Sequence, residues 1–184
     1  MTSPRTWRGR LATGFTLIEL LVVLAIASIM LSIAAPSFNS LTLSMKLSGY
    51  ANNLVSSSML ARGEAIRRNA AVSMCVSSNG ASCGSGGWEQ GWIVMCNTVD
   101  NASCDPAGTA VLVLQSQQAL AAGWKFTETG GRSTIAFDPT GTGATSASLI
   151  VCRAEPTVGR QQRTVNISAT GRASVVKTTA STCG

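Results

Sequence analysis

Gly14-Phe15-Thr16-Leu17-Ile18-Glu19-Leu20-Leu21-Val22-Val23-Leu24, GFTLIELLVVL, opens the one membrane-length apolar run of a 184-residue chain. Its reading decides the fold, because it holds a carboxylate, Glu19, inside the run and not beside it. From Leu20 to Met45 no residue is charged. As a helix those residues would extend roughly 39 Å, against a hydrocarbon core of about 30 Å. Arg5, Arg8 and Arg10 precede the run, which predicts a cytoplasmic N-terminal side and export of the rest. A signal anchor and a secretory signal cleaved at Ser32-Ile33-Ala34 both fit this layout. Neither accounts for Glu19, since a carboxylate at bilayer depth is costly and needs a partner.

The segment resembles the processing site of type IV prepilins and type II secretion pseudopilins. The residues that carry the likeness are Gly14, the aromatic Phe15, Glu19 four positions later, the short basic leader and the long apolar helix. The resemblance implies that a prepilin peptidase cuts after Gly14 and that Phe15 is N-methylated. The leader would be residues 1–14. Cleavage creates an amine on Phe15, about 6 Å from Glu19 along one helix or within reach between neighbouring helices. In a filament core, leaving either charge unpaired costs several kcal/mol, so pairing them between subunits would select the docking register.

Pro36 interrupts the hydrogen-bond ladder, because it removes the bond to the Ser32 carbonyl, and is expected to kink the rod. This separates a transmembrane or filament-core segment, 15–36, from an amphipathic helix, 37–69. In the latter Leu43, Leu47, Tyr50, Leu54, Ser58, Ala61 and Ala65 recur at steps of three or four. The stripe turns small toward its end, which lets a sheet approach closely. Gly49 and Gly63 weaken the helix by about 1 kcal/mol each relative to Ala.

After Asn69 the pattern changes to short β-like runs between Gly, Asp, Asn and Pro. Strands are expected near Ala71–Val76, Gly91–Cys96, Ala110–Gln115, Trp124–Thr127, Ser133–Phe137, Ser148–Arg153, Thr164–Ser168 and Ala173–Lys177. Val111 to Leu114 reads as buried on both faces, and Asp138-Pro139-Thr140-Gly141 as a turn. The expected class is α+β, a pilin-like fold. One long N-terminal helix packs on a 70–184 head of two small antiparallel sheets.

The chain has no histidine, which excludes Ser-His-Asp and Cys-His nucleophiles and His-containing metal sites. No catalytic residue, cofactor or metal is expected. The six cysteines, an even number beyond an export segment, read as disulfides in an oxidising compartment. Met74–Cys83 and Met95–Cys104 repeat one pattern, MC, five residues, ASC. The simplest pairing is Cys75–Cys83, Cys96–Cys104 and Cys152–Cys183, with cross pairing between the repeats as its rival. Each short bridge contributes roughly 2–3 kcal/mol by the chain-entropy model.

The head carries a narrower resemblance. Trp88-Glu89-Gln90-Gly91-Trp92-Ile93-Val94, Ile135-Ala136-Phe137-Asp138-Pro139-Thr140-Gly141 and Ser168-Ala169-Thr170-Gly171-Arg172 resemble the signatures of the FimT/FimU/GspH group of minor pilins and pseudopilins. The group implies a non-catalytic role at a filament tip, where minor subunits form an initiating complex. Its partners would be other minor pilins, the major pilin or pseudopilins, the prepilin peptidase and an inner-membrane assembly platform. The head would stand in the periplasm and later at the tip. The chief rival is pseudopilin H of type II secretion.

The formal charge of +6 falls to +3 without the leader, but its distribution is uneven. After Ile150 there are Arg153, Arg160, Arg163, Arg172 and Lys177 against Glu155. FimT-type members implicated in DNA uptake carry a GRxR-like motif. Here Gly171 and Arg172 match, while Ser174 replaces the second arginine. Arg160, Arg163, Arg172 and Lys177 are the candidates for phosphate contacts with double-stranded DNA. The alternative is a solvated basic hairpin.

Overall fold

A computed structural model describes residues 14–96, 112–154, 161–179 and 183, without the side chains of 34–37 and 39. The chain divides into two compact units, Met1–Asn39 and Ser40–Gly184.

Helix α1 is a single element, Leu17–Arg68, whose turns carry on through residue 36. In the first unit the described side chains from Leu17 to Ile33 are exposed on nearly every side of the helix. The two serines in this stretch turn their hydroxyls inward, Ser28 donating to the Ala25 carbonyl at 2.8 Å and Ser32 to that of Ile29 at 2.7 Å. Their polar groups are thereby satisfied without water. Among the described residues no helix is long and apolar enough to cross a membrane; the described apolar run stops at Ile33.

In the second unit α1 buries the expected stripe: Leu43, Leu47, Leu54, Ser58, Ala61 and Ala65 are buried, and Tyr50 is half-buried. Tyr50 stacks edge-on against Trp124 at 4.9 Å between ring centroids. The helix stops at Asn69, which adopts φ 50°. The Asn69 amide donates to the Ile66 carbonyl and that of Ala70 to Ala65, both at 3.2 Å. This is a Schellman closure with asparagine in the left-handed position, and buried Ala70 and Ala65 supply its apolar contact.

Eight strands follow: β1 (Val72–Val76), β2 (Trp92–Cys96), β3 (Val113–Gln117), β4 (Trp124–Glu128), β5 (Thr134–Phe137), β6 (Ala147–Arg153), β7 (Gln161–Ile167) and β8 (Ala173–Thr179). They form two four-stranded sheets, ordered β3-β2-β1-β5 and β4-β6-β7-β8, with every pairing among these strands antiparallel. Val72, Met74 and Val76 alternate into the main core with the helix stripe and with Phe126, Leu149, Val151 and Val165 of the second sheet. Trp92 meets Phe126 edge-on at 5.8 Å, which joins the sheets. The opposite face of β1 and β2 packs a smaller cluster of Cys75, Ile93 and Met95.

One strand differs from expectation. β3 begins at Val113, and Leu112, Val113 and Leu114 are half-buried, not enclosed; Val111 lies outside the described residues. The reason is position. β3 is an edge strand, and its ladder to β2 skips Leu114, pairing Met95 with Val113 and Val94 with Gln115. Such a bulge bends the strand and leaves one residue unpaired.

Candidate functional site

At the N-terminal end, Gly14 and Phe15 precede the helix and are exposed, Phe15 to 83%. Thr16 is the cap of α1: its Oγ1 accepts the Glu19 amide at 3.3 Å, and its carbonyl accepts the Leu20 amide at 3.2 Å. Thr16-Leu17-Ile18-Glu19 therefore has the spacing of a capping box, and Glu19 sits in the first turn where the helix dipole favours negative charge. This local role was not part of the expectation, although Thr-x-x-Glu is readable from the residues alone.

The three head signatures are structural joints. In the first, Trp88 donates its indole N–H to the Arg132 carbonyl at 2.9 Å, and Trp92 donates to Ser57 Oγ of α1 at 3.0 Å. Glu89 reaches across to the other sheet, where its carboxylate accepts the Phe126 amide at 3.3 Å and lies 3.6 Å from the Lys125 ammonium. Gly91 has φ 106°, and a Cβ there would stand 2.5 Å from the Gln117 carbonyl, so the turn into β2 admits only glycine. The second and third signatures meet on the end of α1. Arg62 donates Nε to the Gly141 carbonyl at 2.8 Å, and the Ala144 amide donates to the Ala169 carbonyl at 2.8 Å.

The disulfides Cys75–Cys83 and Cys152–Cys183 are formed. This rules out cross pairing for the first repeat. Cys96 is disulfide-bonded, while Cys104, its expected partner, lies outside the described residues. Among the described residues no group of three or more His, Cys, Asp or Glu side chains is placed to hold a metal ion.

The basic candidates do not form one surface. Arg163 is a correction: it is buried on the inner face of β7, where Nη2 donates to Ser44 Oγ of α1 at 2.8 Å and Nη1 to the Gln162 carbonyl at 3.1 Å. Its guanidinium is turned toward the helix and committed to these two acceptors, so it is a poor phosphate contact. The cause is strand parity, which places Arg163 with buried Val165 and Ile167 on one face. Arg172 and Lys177 are exposed, at opposite ends of β8 and roughly 17 Å apart for five extended residues. Arg160 lies outside the described residues.

An open hollow of about 440 Å³ was not anticipated. Ser148, Asn166 and Ser174, in register across β6, β7 and β8, line it beside Glu128 and Arg132. The buried Glu128 carboxylate accepts the Gly130 and Arg132 amides at 2.7 and 2.8 Å, so it shapes the β4–β5 turn. No short sequence pattern marks this hollow, because its walls come from four strands.

Residues 50–171 match the family model of type II transport protein GspH, and residues 10–35 match the prokaryotic N-terminal methylation motif. Among solved structures, the type IV minor pilin FimU of Pseudomonas aeruginosa is similar in two crystal forms. The first has TM-score 0.57 and 19% identity over 78% of this chain and 99% of that one. The second has TM-score 0.55 and 17% identity over 75% and 100%. The minor pseudopilin EpsH from the Type 2 Secretion System of Vibrio cholerae is more distant, with TM-score 0.49 and 14% identity over 71% and 95%. No curated protein matches. At these identities the likeness is one of fold.

Proposed function

Since this chain belongs to the family of type II transport protein GspH, we propose that it is a minor type IV pilin that joins the tip or initiation complex of a pilus and supports its assembly. In this reading residues 1–14 are a leader removed by a prepilin peptidase, and Phe15 becomes the methylated N terminus. Segment 15–36 holds the subunit in the inner membrane and then in the filament core. Segment 37–69 carries the disulfide-bonded head, 70–184, in the periplasm. The partners are other minor pilins, the major pilin and the assembly platform.

The observation that carries the reading is the methylation-motif match over residues 10–35, with Gly14-Phe15 just ahead of a helix whose apolar side chains are exposed on nearly every side. A helix apolar on every side needs lipid or other helices around it. The test is intact-mass analysis after co-expression with a prepilin peptidase. The expected product lacks residues 1–14 and carries one added methyl group. A mature terminus at Ala35 would make this an ordinary secreted domain.

The family match also favours a second reading, minor pseudopilin H of type II secretion. Gene neighbours separate the two, pilus-assembly genes supporting the first and secretion genes the second. A contribution to DNA uptake rests on Arg172 and Lys177 among the described residues. Salt-sensitive retardation of duplex DNA by the purified protein tests it.

A further inference from the structure

The edge strand of a sheet presents unpaired backbone N–H and C=O groups, and native proteins blunt it. Three of the four edges here are blunted. On β4 the Phe126 amide is taken by the Glu89 carboxylate at 3.3 Å. On β5 the Ala136 amide donates to Thr145 Oγ1 at 3.3 Å, the Thr145 amide donates to the Ala136 carbonyl at 2.9 Å, and Phe137 bridges Ala144. β3 carries its bulge at Leu114.

β8 has none of these three devices among the described residues; its one guard is the exposed Lys177, a charge that opposes pairing with another basic strand. Its seven residues hold unbroken register against β7, and no described segment pairs with its outer side. It contains neither proline nor glycine. Val175 and Val176, one on each face, are 38% and 45% exposed. Cys183 is held at Cys152 on β6, two strands inward from the edge.

We propose that β8 is a docking edge that takes up an extended acidic strand from another protein by β-augmentation. Charge selects the occupant. Arg172 at the start of β8 and Lys177 near its end are exposed, and buried Arg163 stands opposite Lys177 in the ladder. A second copy is a poor occupant. Antiparallel self-pairing about Val176 sets the two Lys177 side chains diagonally on one face, and parallel self-pairing sets them side by side. Like charges so placed destabilise a strand pair. A fitting strand alternates β-branched residues against Val175 and Val176, with carboxylates reaching Arg172 and Lys177. The inference rests on this edge and not on leader processing, so the mass measurement above and the test below fail separately.

The probe is the blocked peptide acetyl-Glu-Thr-Val-Thr-Val-Glu-Thr-amide, added to the full chain in detergent micelles. Saturable binding that weakens with salt is expected, with amide hydrogen exchange over Ala173–Thr179 slowed at least fivefold. Arg172→Glu combined with Lys177→Glu should weaken this peptide at least tenfold and bind the lysine-for-glutamate peptide instead. That swap shows the double variant is folded. Absence of saturable binding, slowing confined to other segments, or equal binding of both peptides by both proteins overturns the proposal. Slowing of β8 by self-association without peptide, or by duplex DNA alone, assigns the edge to those partners and also overturns it.

Discussion

The Trp92 indole N–H donates to Ser57 Oγ at 3.0 Å, and both residues are buried. The serine hydroxyl is itself oriented by the Asn53 carbonyl, to which it donates at 3.0 Å. One polar contact thus ties β2 to the helix inside an apolar core. Ser57→Ala leaves the indole donor without a partner, and an unsatisfied buried group costs about 1–3 kcal/mol. Thermal or denaturant unfolding should show that loss. Trp92→Phe in the Ser57→Ala background should cost less than it does alone, because the donor is then already orphaned. Strict additivity in the cycle would refute the coupling.

Arg163 and the exposed pair Arg172 and Lys177 should separate by assay. Arg163→Gln breaks a hydrogen bond from a buried charge to Ser44 and should lower stability by about 1.5–3 kcal/mol. Arg172→Gln with Lys177→Gln should change stability by less than about 0.5 kcal/mol. If the purified protein retards duplex DNA, the double variant should weaken retardation and folded Arg163→Gln should not. The reverse pattern in a mobility assay would contradict the burial of Arg163.

Glu64 ties the last turns of α1 together. It accepts from Arg67 Nη2 at 2.6 Å and from Arg68 Nε at 2.7 Å. The Arg67 hydrogen bond first, opposed by partial burial and reinforced by Arg68, holds its carboxyl at about 2. A carboxylate held below its unfolded value contributes stability above the unfolded pKa and loses it as pH falls through the folded one. The contribution is therefore full above pH of about 4.5 and gone below about 2. Solvent around Arg67 limits it to about 1 kcal/mol. Glu64→Gln should lower stability at pH 7 and flatten the fall from pH 5 to 2. Unfolding midpoints across that range check this.

Glu19 has a place in the helix cap and a proposed part in assembly, and a substitution series can divide the two. Thr16 Oγ1 caps the helix through the Glu19 backbone amide, so Glu19→Ala keeps that bond. It should leave leader removal intact and reduce incorporation into filaments, because the charge that would face a neighbour's amine is gone. Glu19→Gln should behave like Glu19→Ala if charge is what matters. Sheared filaments probed with antibody give the readout, and normal incorporation of both variants would remove the pairing argument.

Much of this architecture was readable because local patterns and tertiary packing agree. The stripe from Leu43 to Ala65 has helical period and is buried as one face. The strands are bracketed by turn residues; six of the eight begin within one residue of expectation, and β3 and β7 within three. The failures occur where a residue's neighbours are remote. Val111 to Leu114 has the composition of a central strand, but edge position is set by pairing order. Gln162-Arg163-Thr164 is polar throughout, so no alternation marks which side chain turns inward; Ser44, 119 residues away, decides it. The same holds for Glu89, whose acceptor role depends on an amide 37 residues on, in the other sheet.

The two described disulfides also bear on how the chain responds to pulling. They join cysteines 8 and 31 positions apart. At about 3.5 Å per extended residue, they withhold on the order of 130 Å of contour from a molecule stretched between its ends. Under tension β7 and β8 cannot be drawn out straight, because the bridge from Cys152 to Cys183 shunts the load past them. The head can lose its hydrogen bonds in that region and still transmit force through covalent bonds. Under load between its two ends, the weakest link of the chain therefore lies elsewhere.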